Sequence, residues 1–445
     1  MFFWYNFISL YPHTHMYREV EMKRYSVFSF LVCTALFLLG YQVSSFGADD
    51  TNIVIGLNVP LTGAYSEQGI DELKAYKLAI DDINADGGIL GKSVVFVEKD
   101  TETNAKVAAS NARMLIDDYN VQMITGGSSS AVALAQGVVA KEKGIVFMAA
   151  LTHSNATTGF KIDPKTGKRK EQAVNRYMFR WYNNAWMSAH ALANYLLNKF
   201  GKDATYYYIT ADYTWGYSVE KSFRDVLEPA GCKTIGVVRT PLGEKSYIKY
   251  LLEVKKAKPD VLVLIHFGKD MVNSLKQATA LGLKKDTKIV VPLIELHMAK
   301  GAGATAMEGV ICTSPWYWKL ADKYPGSKKF VDKFKERFGT IPGNAAASAW
   351  VAIHEYANAV KEANSFDTKK VIKALEGRRF TLLKGEEYWR QWDHQAITST
   401  LILEGKKASE MSSEDDALKI IDEVSGDKVA RTKKDNPVKW EVNLR

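Results

Sequence analysis

From residue 53 onward, short runs of β-branched and apolar residues alternate with longer stretches whose apolar positions recur every three or four residues. IVIGLN at 53, SVVFVE at 93, VQMIT at 121 and IVFMAA at 145 read as strands, with helices over 71–84, 105–119 and 130–143 between them. A second series follows. TYYYIT at 205, KTIGVVRT at 233, VLVLIHF at 261 and KIVVPLI at 288 are its strands, and 217–227, 247–256 and 271–281 its helices. Such alternation predicts βαβ units and parallel sheets covered on both faces. The expected class is therefore α/β, with two doubly wound, Rossmann-like lobes of similar design. The polar segment over 151–183 exceeds a minimal connector and predicts a surface excursion at 161–171.

Composition adds little to this picture except at the N-terminus. A chain of 445 residues with 47% apolar and 24% charged residues has the length and core for two domains. Met22-Lys23-Arg24, the apolar run 27–39 and the small residues at 44–48 have the form of a secretory signal peptide, too short to span a bilayer. The initiating residue is expected at Met22, with cleavage after Ser45, Gly47 or Ala48, where no cysteine stands to accept a lipid. Loss of Arg18, Lys23, Arg24, Glu19 and Glu21 lowers the formal charge of +9 by one. The excess is dispersed. KTGKRK at 165–170 lacks aromatic interleaving and reads as a solvated loop, so no nucleic-acid partner is expected. Cys33 leaves with the leader, and Cys232 and Cys312 are expected as separate buried thiols.

In doubly wound sheets ligands bind beyond the carboxyl ends of the strands. Residues 60–69, 126–130, 151–154, 212–216, 267–270 and 293–297 are therefore the candidates. DGGILGKSVVF at 86–96 contains GKS, but a phosphate-binding loop needs GxxxxGKS between a strand and a following helix, and here Asp86 stands where the first glycine belongs. The order is also reversed, with the helix before the loop and the strand after it. No nucleotide cofactor is expected.

PLTGAYSEQG at 60, the INADGGILGKSVVFVEKD turn, ITGGSSSAVALAQGVVAKEKGIVFM at 124, ADYTWGYSVEKSF at 211 and EGVICTSPWYW at 308 occur in one order over about 51–403. Together they resemble the periplasmic solute-binding proteins of ABC importers, of the branched-chain amino-acid type. The resemblance implies a "Venus flytrap" with a hinge of three crossings, here near 179–184, 312–315 and 379–387. It implies a monomer that closes on a small solute in the periplasm and docks on membrane permease subunits. The divisions expected are 1–48 leader, 49–182 and 313–385 first lobe, 183–312 and 386–445 second lobe.

GGSSS lies between a strand and a helix, so free amides and the positive helix end face the cleft, with Ser129 and Ser130 as hydroxyl donors. By resemblance Ser130 anchors a ligand carboxylate; the alternative is that these serines only cap the helix. The second contact strip falls on Leu151, Thr152 and His153. Thr152 could donate to the carboxylate, and His153 is either a contact or a structural histidine, with no second histidine at metal spacing. Trp215 and Phe267 match aromatic residues that close over the ligand, or else are core. Tyr65 and Gln68 match the wall of the first-strand loop. The acid that balances an amino-acid ammonium is replaced by Leu293, and Glu295 two residues on is the candidate substitute. Without it, the ligand would be a carboxylate lacking an amine, an aromatic or aliphatic acid, of which the aromatic suits the abundant Trp and Tyr.

No GxSxG, HExxH, P-loop or CxxC is present, so the chain reads as a receptor and not an enzyme, with a signalling sensor or an exported α/β enzyme as the other readings. The charged tail 405–445 is expected to hold a short helix around 415–424 with extended flanks.

Overall fold

The computed structural model describes residues 52–163, 166–440 and 444, and the expected leader lies outside them. Strands β1 (Asn52–Val59), β2 (Ser93–Asp100), β3 (Met123–Gly126) and β4 (Val146–Ala149) are parallel. The short antiparallel pair β5 (Phe160–Ile162) and β6 (Arg169–Gln172) forms the excursion, and β7 (Met178–Arg180) completes a first sheet ordered β2-β1-β3-β4-β7. β8 (Thr205–Ala211), β9 (Lys233–Thr240), β10 (Val261–Ile265), β11 (Lys288–Val291) and β12 (Ile311–Ser314) make the parallel part of a second sheet. All five residues of β10, VLVLI, are buried, as a central strand covered on both faces requires.

Helices α1 (Ser66–Ala85), α2 (Ala105–Asp117) and α3 (Ser130–Lys143) connect the first series. α4 (Ala185–Phe200), α5 (Thr214–Leu227), α6 (Ile248–Ala257) and α7 (Gly268–Ala280) connect the second. The GKS turn joins α1 to β2. Gly87, Gly88 and Gly91 all have positive φ, and a Cβ on Gly88 would lie 2.0 Å from the Lys92 carbonyl oxygen, so only glycine fits there. The side chain of Asn84 then clamps both the N–H and the carbonyl of Val94, at 2.7 and 2.8 Å.

After β12 the chain returns through α8 (Pro325–Phe338) to α9 (Asn344–Ala363), whose alanine-rich start packs closely along α1. α10 (Thr368–Leu375) follows. The third passage between the sheets comes later than expected. Residues 379–387 do not cross; β13 (Arg379–Phe380), β14 (Glu387–Trp389) and β15 (Ala396–Ile397) pair antiparallel among themselves. Trp389 fixes them to the first sheet's side by donating to Glu355 of α9 at 2.9 Å and packing edge-on against Phe179. The chain enters the second sheet at β16 (Thr400–Gly405), antiparallel to β12.

The tail also departs from expectation. The helix expected around 415–424 is instead strand β17 (Leu418–Val424), antiparallel to β16. Ile420, Ile421 and Val424 favour extended backbone, and the free edge of β16 supplies a ladder that a charged ten-residue helix could not replace. Cys232 and Cys312 are unbridged and buried, as expected.

Lys384, almost wholly buried, sits where the three passages meet. Its ammonium donates to the Pro315 carbonyl at 2.8 Å and the Ser399 carbonyl at 2.9 Å, lies 3.5 Å from Glu387, and stands over the Trp181 ring at 5.3 Å. A second tie is the Gln395 amide, which accepts from Arg180 and donates to the carbonyls of Arg180 and Tyr182.

Glu376 joins the end of α10 to the segment before β7. Its carboxylate accepts from Arg176 at 2.7 and 3.0 Å and from His394 at 3.1 Å. Burial alone would raise its pKa, but these bonds outweigh burial and hold it at about 2. A depressed carboxylate contributes stability above its unfolded-state pKa and loses it as pH falls through the folded value. Glu376→Gln should therefore cost about 3 kcal/mol at pH 7, and variant and parent should converge between about pH 4.5 and 2 in denaturant melts.

Candidate functional site

The ends of β1, β3 and β4 face those of β8, β10 and β11 across a narrow, closed cleft with about 20 Å³ of free space. On the first-sheet side, Gly126 and Gly127 turn the chain at φ of 120° and 92°. A Cβ at Gly126 would stand 2.2 Å from the Asn58 carbonyl oxygen, so this bend requires glycine. It delivers Ser128, Ser129 and Ser130 to the cleft at the start of α3. Ser128 donates to Glu72 at 2.5 Å, which leaves it committed. Ser129 occupies the N-cap position without making a side-chain cap bond, which disfavours the purely capping role. The Ser129 and Ser130 hydroxyls and the first amides of α3 are at the cleft, an arrangement with the chemistry to meet an anion.

Opposite stands a set of rings. Trp215 lies in the first turn of α5, Tyr213 just before it, and Phe267 just before α7. Tyr65 reaches over from the first side, its hydroxyl 2.9 Å from that of Tyr213 and its ring edge-on to Phe267 at 5.3 Å. Burial pushes the Tyr65 phenol up to about 12, so it is neutral. Leu151 and Leu293 complete the apolar lining. His153 is buried, and burial, aided by the Arg180 charge, holds it well below the usual histidine range.

Seven of the ten candidate residues thus meet at one cleft: Tyr65, Ser129, Ser130, Leu151, His153, Trp215 and Phe267. Three do not line it. The Thr152 hydroxyl is paired with Thr157 at 3.0 Å, and its carbonyl accepts from Arg180. Gln68 is buried within α1. Glu295 turns to the start of α9, where its carboxylate accepts from Tyr182 at 3.0 Å and the Ala345 amide at 3.4 Å. Asp71 reaches the same place to accept from the Gly343 amide at 2.8 Å. Burial, reinforced by Asp71, raises Glu295 to about 8. Two lining residues were not singled out, Ser128 and Tyr213; both fall within the strand-end segments, but nothing in GGSSS or ADYTWG distinguishes them from their neighbours.

Gly126→Ala should destabilise the protein by more than about 2 kcal/mol, because the added Cβ meets backbone and the φ is unfavourable for alanine. A thermal melt beside Gly87→Ala, whose Cβ would meet nothing within 4 Å, separates the steric contact from the cost of positive φ.

The profile of the periplasmic binding protein family matches residues 52–410. A Leu/Ile/Val-binding protein homolog 8 of Brucella abortus is 25% identical over 358 residues, covering 76% of this chain and 84% of the relative. A periplasmic binding protein of Burkholderia mallei superposes with a TM-score of 0.78 at 26% identity, over 87% of this chain and 98% of that one. A solute-binding protein of an ABC transporter from Rhodopseudomonas palustris, solved with 3,4-dihydroxybenzoic acid, shares the fold with a TM-score of 0.74 at 20% identity, over 84% and 98% of the two chains. The two-lobed architecture, the strand-end cleft and the profile match over most of the length agree: the chain belongs to the periplasmic binding protein family.

Proposed function

We propose that the chain is the periplasmic receptor of an ABC importer and captures a small carboxylate without an α-ammonium, of the aromatic-acid class. The observation that carries this reading is the charge and shape of the lining. Hydroxyls, helix amides and the Tyr65 ring stand on one side, three aromatic rings on the other, and no ionised side chain is among the residues that line the cleft. An α-ammonium placed there would be buried without a counter-charge, which is costly, whereas an aromatic ring would stack and a carboxylate would be met by donors. The complex of the Rhodopseudomonas palustris neighbour with 3,4-dihydroxybenzoic acid supports the same class. The leader is removed on export, and the monomer closes the lobe that holds the first sheet, within 52–182 and 313–397, against the lobe that holds the second, within 183–312 and 398–440, before meeting the permease. Tyr65 with Tyr213 is one contact made on closing.

The second reading is an amino acid. The name of the Brucella abortus relative favours it, and so does the nearness of Glu295. It requires that carboxylate to leave Tyr182 and the start of α9 and turn into the cleft.

Calorimetry with benzoate and leucine decides between them. Benzoate-class binding with no measurable leucine binding is expected; tight leucine binding overturns the proposal. In Ser130→Ala the affinity for the bound acid should fall about ten- to a hundredfold, since a charge-assisted hydrogen bond in a dry cleft is worth roughly 1.5–3 kcal/mol.

A further inference from the structure

His153 stands in the cleft, yet both of its ring nitrogens are occupied by protein. Nδ1 lies 2.8 Å from the indole Nε1 of Trp215, and Nε2 lies 2.8 Å from the Ser188 hydroxyl. Its carbonyl accepts from the Ala185 amide at 2.6 Å. Ser188 and Trp215 belong to α4 and α5 of the second sheet's side, while His153 follows β4 of the first.

The chemistry of these partners fixes the proton. An indole N–H can only donate, so Nδ1 must present a lone pair. The remaining proton of a neutral ring is then on Nε2, where it is donated to Ser188 Oγ. A charged ring would point a second N–H at the indole N–H and lose that bond. The surroundings oppose such a charge. Arg180 lies behind the loop and donates to the carbonyls of Thr152 and Ser154, Tyr182 packs edge-on at 6.1 Å, and Glu295 is held beyond Tyr182 by its hydroxyl.

We propose that His153 is a positioning residue: as the Nε2-protonated neutral tautomer it carries a hydrogen-bond chain from Ser188 to Trp215 and holds the indole as the closing wall of the cleft, without donating to the solute. The wall matters because Trp215 also packs, besides the His153 ring, against Tyr213 at 5.9 Å and Phe267 at 6.2 Å, and a tilted indole would alter the slot for a flat ligand. The functional part of this inference rests on the cleft being the solute site; the tautomer does not.

The tautomer is read first, without any solute. Long-range nitrogen–proton spectra of the histidine-labelled protein, with His153 assigned by its loss in His153→Asn, should show the Nε2–H pattern unchanged from pH 8 to 5.5. An Nδ1–H pattern, or titration near the ordinary value, overturns the proposal. The variants then separate position from bulk. Asn places its Oδ1 near the site of Nδ1 and can accept from the indole, while Gln extends towards the site of Nε2 and cannot. The Trp215 indole N–H resonance, assigned by its loss in Trp215→Phe, should stay in the bonded range in His153→Asn and leave it in His153→Gln.

With benzoate as the probe, His153→Asn should bind within about threefold of the parent and His153→Gln about tenfold more weakly. The double variant His153→Gln/Trp215→Phe should be no worse than the weaker single one, as expected of residues acting through one bond. Equal effects of Asn and Gln, or additive losses in the double variant, overturn the positioning role. If the parent does not bind benzoate, the proposed ligand class fails, and the two resonance measurements still decide the role of His153.

Discussion

One buried ammonium ties together the passages of the chain between the two sheets. Lys384 is shared by the passages at Trp181, Pro315 and Ser399, with the Glu387 carboxyl 3.5 Å away. Burial pushes the lysine down and the carboxyl up, so the pair persists only because each member is bonded further. Glu387 also accepts from the Trp181 indole and the Thr398 hydroxyl. Removing either charge would leave the other stranded beneath three chains at once. The passages are thereby pinned at a common point.

The same rule against unpaired buried charge shapes the cleft. The nearby carboxylates are set back from the lining: Glu72 behind Ser128, and Asp71 and Glu295 at the start of α9. Burial raises Glu72 to about 8, so it does not present an anion behind Ser128 at neutral pH. His153 is neutral for the same reason. What remains in the lining is hydroxyl and amide donors together with polarizable rings, which is the basis of the proposed preference for flat, singly anionic solutes.

The alternation of short apolar runs and amphipathic stretches made both sheets and most of the cleft legible, because strand ends in such folds locate the site before any side chain is known. Misreadings cluster where local pattern and tertiary contact diverge. Helices α1, α5 and α7 begin three to five residues earlier than the pattern suggests, at Ser66, Thr214 and Gly268, because glycine, serine and threonine at a helix start resemble loop. That earlier start draws Gln68 into the helix and carries Trp215 into a first turn. Thr152 and Glu295 sit at the right strand ends, but which way a side chain turns depends on Thr157, Tyr182 and Asp71, contributed from elsewhere in the chain. The edge of β16 decided the conformation of 418–424, and no local feature of LKIIDEV announces that partner.

The two thiols bear on the cysteine chemistry of this protein. Cys312 is sealed within β12 and Cys232 lies buried before β9, unbridged, and burial raises both thiols so that neither is a ready thiolate. Among the described residues no disulfide contributes to the fold. A cysteine introduced at the surface would therefore react faster than either of these two buried thiols.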